Sequence, residues 1–401
     1  MPIKNLFDET RTVERRRSVM LTVTEACNLR CKYCYEAFKP QRNMSFQIAQ
    51  ETINRFMKMD DGFDFVEFDF FGGEPLLNFK LIRDLVDWFH TQRWNKRHVF
   101  YIGTNGTILT DEIKNWLVKY RGCVFVGVSL DGNKEAHDIN RSNSYDKLQE
   151  NLPFFLKYWG DQPMKMTIGA ETIHLVADSI IAMEESKYFF STNIVFEDIW
   201  GDEMEKKRLL NIYAQQLAQL INYYCEHPNL FPVSILDRKP EHIAFATQNP
   251  NFKIGYDTNC VRYCGAGHEM IMIDVDGNEF PCHRFSTWVT GKLAPEIGEL
   301  KANQQKAWKP DKCASCFLVN MCPTCAGFNW QSNNDSGVRS TFHCESYKLE
   351  VAASAKLTGL RLANEEEKIK AENDPKIIRL YTQKIAGIMY INENLDLSFL
   401  S

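Results

Sequence analysis

The stretch Ser18-Val-Met-Leu-Thr-Val-Thr-Glu-Ala-Cys27-Asn-Leu-Arg-Cys31-Lys-Tyr-Cys34 decides how the chain is read, because an apolar, β-branched run delivers three thiols onto one short loop. Thiolates at a three-then-two spacing form a nearly complete cradle for a cubic iron–sulfur cluster and leave one iron open. A fully ligated cluster only passes electrons, whereas an open iron can bind a substrate or cofactor and reduce it directly. The alternative for clustered thiols is zinc. A closed zinc site wants four ligands, and neither a histidine nor a fourth cysteine lies in the loop or its immediate flanks.

Outward from this loop, apolar β-branched segments alternate with amphipathic ones from about Ser18 to Trp200, the pattern of parallel strands linked by helices. Six strands are expected, at Ser18–Thr24, Phe65–Phe71, Val99–Gly103, Cys123–Ser129, Met164–Ala170 and Asn193–Glu197. Helix-like stretches fall between them at Ser45–Met57, Phe79–His90, Thr110–Tyr120 and Tyr145–Tyr158, several opened by a residue able to cap the first turn. The fold class is α/β, a partial (β/α)6 barrel of the TIM type followed by a small cysteine-rich domain. In such barrels chemistry sits at the C-terminal ends of the strands, and the thiol loop follows the first strand on that face. Asp202–Cys225 reads as a long amphipathic helix, and Glu226–Tyr256, with four prolines, as an irregular linker. The expected division is a lead over 1–17, the barrel over 18–230, the linker over 231–256, the cysteine-rich domain over 257–350, and a helix and tail over 351–401.

Composition narrows the classes. The 401 residues, 44% of them hydrophobic, can fill real cores. No run of eighteen apolar residues and no signal peptide appears, and thirteen cysteines suit metal ligation in a reduced compartment better than disulfides, so the expected location is cytoplasmic with no membrane partner. A net charge of -5 argues against nucleic acid as a partner, and the short run Glu14-Arg15-Arg16-Arg17 does not change this. Cys123 and Cys225 read as packing residues.

The C-terminal ends of the strands collect further polar signatures. Strand two runs into Phe71-Gly72-Gly73-Glu74-Pro75, where two glycines allow close backbone approach and a carboxylate can receive an ammonium group. Strand three runs into Gly103-Thr104-Asn105-Gly106-Thr107, and strand four into Ser129-Leu130-Asp131-Gly132, with His137-Asp138 and Arg141 beyond. Strands five and six end at Glu171-Thr172-Ile173-His174 and Glu197-Asp198, which read equally as contacts to a ligand or as solvated rim residues. The order CxxxCxxC with Tyr33 before its last cysteine, then Gly-Gly-Glu one βα unit later, resembles the radical S-adenosylmethionine (SAM) enzymes. The resemblance implies SAM held at the open iron, with Glu74 at its amino group, Ser129 and Asp131 near the ribose and Arg141 near its carboxylate. Tyr33, Gly72, Gly73, Thr104 and Asn105 complete the implied cofactor site.

Cysteines return at Cys260, Cys264, Cys282, Cys313, Cys316, Cys322, Cys325 and Cys344, enough for two closed four-thiolate sites. Met270–Phe280, an apolar run around an Asp-Gly turn, reads as a hairpin presenting Cys282. Two zinc ribbons are the alternative that spacing alone leaves open. Gly277-x4-Cys282, the CxxCxxxxxC run from Cys313 and the late single Cys344 resemble the SPASM extension of radical SAM enzymes, which carries two auxiliary [4Fe-4S] clusters. Cys322 and Cys325 depart from that pattern, being two residues apart where it usually has three. The resemblance puts Cys260, Cys264, Cys282 and Cys325 on an inner cluster and Cys313, Cys316, Cys322 and Cys344 on an outer one. Three [4Fe-4S] clusters are thus implied, and if Cys260 does not ligate, the inner cluster has an iron open to a substrate thiolate. The tail begins as a helix from Tyr347 to about Lys370 and ends in Ile388–Ile391 and Leu395–Leu400, read as a strand or docking segment.

The resemblance implies a peptide maturase. One electron, from a reductant such as flavodoxin or ferredoxin, cleaves SAM to a 5′-deoxyadenosyl radical that takes hydrogen from a peptide or protein substrate held against it. The auxiliary clusters are the expected acceptors of the second electron, so the net change is a two-electron oxidation. Sulfatase maturases of this family carry an aspartate after the cysteine corresponding to Cys282. Here His283 follows instead, and Cys264-Gly-Ala-Gly267 with Pro281-Cys282-His283 resembles the thioether-forming branch, so a thioether crosslink in a ribosomally made precursor peptide is the favoured reaction. The alternatives are formylglycine formation in a sulfatase and carbon–carbon crosslinking or epimerisation. His283, with an ordinary pKa of about 6.5, is the candidate base. The lead Met1–Arg17 is too short for a leader-binding winged helix, so a leader would be read by the barrel mouth, the tail or a separate protein.

Overall fold

The computed structural model describes residues 15–36, 39–243, 264–291, 293–294, 311–319, 321–372 and 374–398. Six parallel strands come first: β1 (Arg16–Thr24), β2 (Phe65–Gly72), β3 (Arg97–Thr104), β4 (Val124–Val128), β5 (Met164–Ile168) and β6 (Phe190–Ile194). Helices α1 (Phe46–Lys58), α2 (Phe79–Phe89), α3 (Asp111–Lys119), α4 (Lys134–Asn140), α5 (Tyr145–Trp159) and α6 (Val176–Glu185) connect them. Caps fall where the sequence offers them. Ser45, Thr110 and Asp202 each accept a hydrogen bond from a backbone N–H of the first turn, of α1, α3 and α7 (Glu203–Glu226) respectively. Among the described residues, no helix is long and apolar enough to cross a membrane.

A later hairpin extends the sheet beyond its first four strands. β7 (Met270–Ile273) pairs parallel to β1, Ser18 opposite Met270, and β8 (Glu279–Phe280) returns antiparallel, so the order is β8-β7-β1-β2-β3-β4. Gly277, at φ +87°, makes the turn between them, and the Asp274 carboxylate accepts from the backbone N–H groups of Asp276 and Asn278 at 2.9 and 2.8 Å. At the other edge, a bridge between Ser129 and Lys165 joins β4 to the β5–β6 pair. The sheet curls: Met20, Asp69, Tyr101, Gly127, Lys165 and Asn193, one residue from each of β1 to β6 in turn, line one common cavity.

The outer faces of the strands form the core with the helices. Phe68, Phe70, Phe89 and Phe100 are almost wholly buried, and the Phe70 and Phe100 rings stack 5.5 Å apart. Beyond the barrel, α8 (Ala326–Asn333), α9 (Cys344–Glu372) and α10 (Pro375–Asn394) follow. Buried Glu350 on α9 accepts from the Tyr213 hydroxyl of α7 at 3.0 Å and pairs with Arg238. This joins the barrel's last helix to the tail through the linker residues. The linker is irregular up to Lys239 apart from a turn at Ser234–Leu236, and from residue 244 to 263 it lies outside the described residues.

Two expectations are corrected. The sixth strand begins at Phe190 rather than Asn193, because Met164 N–H of β5 already bonds to the Phe189 carbonyl. Ile388–Ile391 is helical, part of α10, which starts on Pro375 with Asp374 capping Lys376 N–H at 2.8 Å. Its apolar residues recur with helical period and pack on α9, Ile391 beside Val351 and Ala355. Of the predicted end segment, Leu395 follows α10 with its N–H on the Ile391 carbonyl, while 399 and 400 lie outside the described residues.

Replacing Phe100 by Ala leaves a void among three aromatic rings and should cost about 3–5 kcal/mol of stability. Denaturant unfolding of the variant measures this.

Candidate functional site

The thiol loop is docked by backbone, and this explains the glycine pair. Gly73 N–H donates to the Thr24 carbonyl at 3.1 Å and Glu74 N–H to the Ala26 carbonyl at 2.9 Å. Gly72 has φ +138°, and a Cβ there would lie 1.8 Å from the Thr24 carbonyl oxygen. One on Gly73 would lie 2.4 Å from the Ala26 oxygen and 2.8 Å from the Cys27 Cβ. The loop rests on a surface that only glycine provides. Asn28 ties it further to the end of β3, donating to Thr107 at 2.8 Å and accepting from Asn105 at 2.9 Å.

Glu74 is fully buried and accepts from Thr104 Oγ1 at 2.8 Å, Asn105 N–H at 2.8 Å and Leu76 N–H at 3.1 Å. The carboxylate therefore fixes the end of β3 as well as facing the cavity. Asp131 is the exception among the predicted cofactor residues. It does not line the cavity but sits behind its wall, accepting from Tyr33 Oη (2.5 Å), Arg141 Nε (2.9 Å), Asn140 Nδ2 (3.3 Å) and Thr167 N–H (2.9 Å). These bonds clamp the thiol loop and Arg141 to β5.

Cys27, Cys31 and Cys34 open on one cavity of about 470 Å³. Tyr33, Gly72, Gly73, Glu74, Thr104, Asn105, Ser129 and Arg141 line it as well. Burial raises the Cys27 thiol and pushes Cys31 up to about 11, while Lys39 donates to Cys34 Sγ at 3.2 Å. Half-buried thiols that resist free ionisation, above a floor of glycine backbone, fit a group that brings its own positive charge, as an iron–sulfur cluster does.

The later cysteines fall into two sets. Burial, then Cys325 and Cys264, raises the fully buried Cys282 thiol. Cys313, Cys316, Cys322 and Cys344 line a separate cavity of about 300 Å³, with Cys322 pushed up to about 12 and Cys344 to about 11 by burial. Cys260 lies outside the described residues. Among the described residues no three Cys, His, Asp or Glu side chains converge closely enough to hold one metal ion.

His283 stands at the cavity wall, its ring 5.0 Å from Phe71 and 5.5 Å from Tyr35. Burial, then Arg284 and Lys165, push its pKa down to about 3, so the ordinary value expected for a base is corrected: the imidazole is held neutral and weakly basic. Sequence reading missed several cavity residues. Tyr35 carries the Arg284 guanidinium 4.0 Å above its ring, and Arg284 pairs with Glu197. Asp69, Tyr101 and Lys165 stand deeper on β2, β3 and β5. Asp69 was legible as one of two carboxylates, with Glu67, that the period of a strand puts on the same face as Phe71, and as the one nearer its C-terminal end.

Residues 16–149 match the family of the 4Fe-4S single cluster domain. The chain is 35% identical over 129 residues to an uncharacterized protein of Methanocaldococcus jannaschii, covering 32% of this chain and 43% of that one. It is 22% identical over 358 residues to the cysteine-type anaerobic sulfatase-maturating enzyme of Clostridium perfringens, covering 81% of this chain and 92% of the relative. Its fold resembles the solved structure of anSMEcpe with bound AdoMet and the Cp18Cys peptide, with a TM-score of 0.65 at 17% identity, covering 86% of this chain and 98% of the other. The cluster domain and the relatives indicate an enzyme of the radical SAM class, and the likeness to the solved structure shows the fold, α/β with a mostly parallel sheet.

Gly73→Ala drives a methyl into the Ala26 carbonyl and should displace the thiol loop. The expected outcome, read by iron analysis after reconstitution, is a loss of iron comparable to that of Cys27→Ala, with far-ultraviolet circular dichroism unchanged.

Proposed function

We propose that the chain is a maturase that oxidises a cysteine-bearing peptide, most specifically by forming a thioether between a cysteine sulfur and a carbon of another residue. The observation that carries this is the joint lining of one cavity by Cys27, Cys31 and Cys34 at its mouth and by His283, next to Cys282, on its wall. A substrate carbon and a cysteine sulfur would there face both redox ends of the site. Bound together, a [4Fe-4S] cluster and SAM would supply an electron and a hydrogen-abstracting carbon radical.

The chain's own residues would do the rest. Cys27, Cys31 and Cys34 would hold the cluster, while Glu74 and Arg141 would receive the ammonium and carboxylate of SAM. Tyr33 and Asp131 would keep Arg141 aimed at it. Cys264, Cys282 and Cys325, with Cys260, and the set Cys313, Cys316, Cys322 and Cys344 would hold two auxiliary clusters that accept the second electron, with an external one-electron reductant supplying the first. His283 is proposed as a neutral wall group orienting the substrate, the role its aromatic stacking supports better than that of a general base.

Oxidation of a sulfatase cysteine to formylglycine is the second reading, favoured by the named relatives. Mass spectrometry after anaerobic incubation with SAM, reductant and a cysteine-rich peptide encoded nearby separates the two. Loss of two hydrogens with the thiol no longer alkylatable supports the thioether. Replacement of the sulfur by oxygen together with loss of two hydrogens sinks it in favour of formylglycine.

Cys31→Ala should abolish formation of 5′-deoxyadenosine. Cys316→Ala should leave uncoupled 5′-deoxyadenosine formation but reduce modified peptide at least a hundredfold, and full product from that variant would remove the auxiliary sites from the reaction. Chromatography of both products from one reaction checks the pair.

A further inference from the structure

Beneath the mouth of the cavity lies a second polar group that the proposed cofactor and cluster sites do not use. Asp69 and Tyr101 are register partners on β2 and β3, so their side chains stand side by side on one face of the sheet. Asp69 is two residues before Phe71 on its strand, ~7 Å deeper than the aromatic wall around His283. Lys165, from β5, holds its ammonium 5.4 Å from the centre of the Tyr101 ring. Gly127 makes this possible, because a Cβ there would sit 1.7 Å from the Tyr101 hydroxyl.

These groups are poised without being paired. Among the described residues Asp69 has no hydrogen bond and no ion pair, and burial pushes its carboxyl up to about 6, with Lys165 the single charge that acts against this. Burial and the charge of Asp69 push the Tyr101 hydroxyl up to about 12, again with no hydrogen bond. Among the described residues Lys165 makes no ion pair. All three side chains line the cavity and keep part of their surface open to it, so their hydrogen-bonding capacity is available to a group that enters.

We propose that Asp69, Tyr101 and Lys165 form a subsite for an uncharged amide group of the peptide, seated below the thiol loop. The inference rests on the peptide-maturase reading and names what that site selects. An amide N–H meets Asp69 and its carbonyl meets Lys165, with the Tyr101 hydroxyl able to serve either side. A cationic side chain would be repelled by Lys165 and an acidic one by Asp69, so opposed charges select the neutral group that carries both a donor and an acceptor. The amide is that of an Asn or Gln side chain or of the peptide backbone. Seated there, it would hold the neighbouring residue toward Cys27, Cys31 and Cys34, making Asp69 and Lys165 positioning residues.

The test is anaerobic selection of a display library of twelve-residue peptides, each with one fixed cysteine, on the iron-reconstituted full chain with SAM. The same selected pool is then bound to Asp69→Leu and to Lys165→Met. Enrichment of Asn or Gln at one distance from the cysteine, with retention lowered about tenfold or more by each variant, supports the side-chain amide. Retention lowered by both variants with no residue enriched supports the backbone amide. Enrichment of acidic or basic residues, or equal retention by variants and wild type, overturns the subsite while leaving the maturase reading intact. A wild-type chain that retains no peptide, yet forms 5′-deoxyadenosine from SAM, overturns the peptide reading and the subsite with it. Leucine removes an unpaired carboxyl from an apolar wall and Lys165 is solvent-exposed, so both variants should fold, which thermal unfolding verifies.

Discussion

The carboxylate of Asp131 is the constraint on which the rest of the site depends. It is buried, and four donors converge on it: the Tyr33 hydroxyl, the Arg141 guanidinium, the Asn140 amide and the Thr167 backbone N–H. Those donors come from the thiol loop, from α4 and the residue that follows it, and from β5. One charge therefore fixes where the loop lies relative to two other units, α4 with the residue after it and β5. A buried carboxylate is tolerated only when paired and fully hydrogen-bonded, and Arg141 on one oxygen with a backbone N–H on the other meets that condition. The Gly72–Gly73 surface holds the loop from below by backbone contact. Between the glycine floor and the carboxylate clamp, the three cysteines have little freedom left, as a preorganised metal site requires.

Much of this was legible in the sequence because its cause is local. The alternation of apolar strands with amphipathic helices gave the parallel sheet, and CxxxCxxC with Gly-Gly-Glu marked where the strand ends converge. Roles were harder to read than places. Glycines that look like room for a ligand are spent on Thr24 and Ala26, and Asp131 is engaged by Tyr33, Arg141 and Thr167, partners up to 98 residues away in the chain. The same applies to the hairpin at 270–280. Its turn is evident from Asp-Gly, but nothing local says that β7 lies parallel to β1. The tail, read as a strand or a docking segment, has β-branched residues that suggest a strand, while the helical period of its contacts makes it a helix, α10, docked on α9.

The β7–β1 pairing also bears on how the two halves of the site communicate. Since β7 and β8 lead directly into Pro281-Cys282-His283, adding the hairpin to the sheet edge delivers Cys282 and His283 to the barrel wall. Arg284 then stacks on Tyr35 of the thiol loop, pairs with Glu197 beyond β6, and lies against Gly327 of α8, where a Cβ would come within 2.3 Å of its own. Side chains from the loop, the far edge of the sheet and the cysteine-rich region thus meet at one guanidinium. Any movement of Cys282 relative to Cys34 would have to break that contact set, so the distance between the two thiol groups is a property of the packed protein rather than of the linker that joins them in sequence.

Depth along the barrel divides the remaining chemistry. At the mouth, polar side chains are already engaged with one another: Glu74 with Thr104 and Asn105, Asp131 with Arg141, Asn28 with Thr107. Deeper in, past Phe71 and His283, Asp69, Tyr101 and Lys165 are not. Phe70 and Phe100, the immediate neighbours of Asp69 and Tyr101 on the opposite face, pack as tightly as any residues in the core, so the strands themselves are under no local strain that would explain an unpaired carboxylate. The deeper level is the one whose polar groups face the cavity itself, where they are open to whatever enters it.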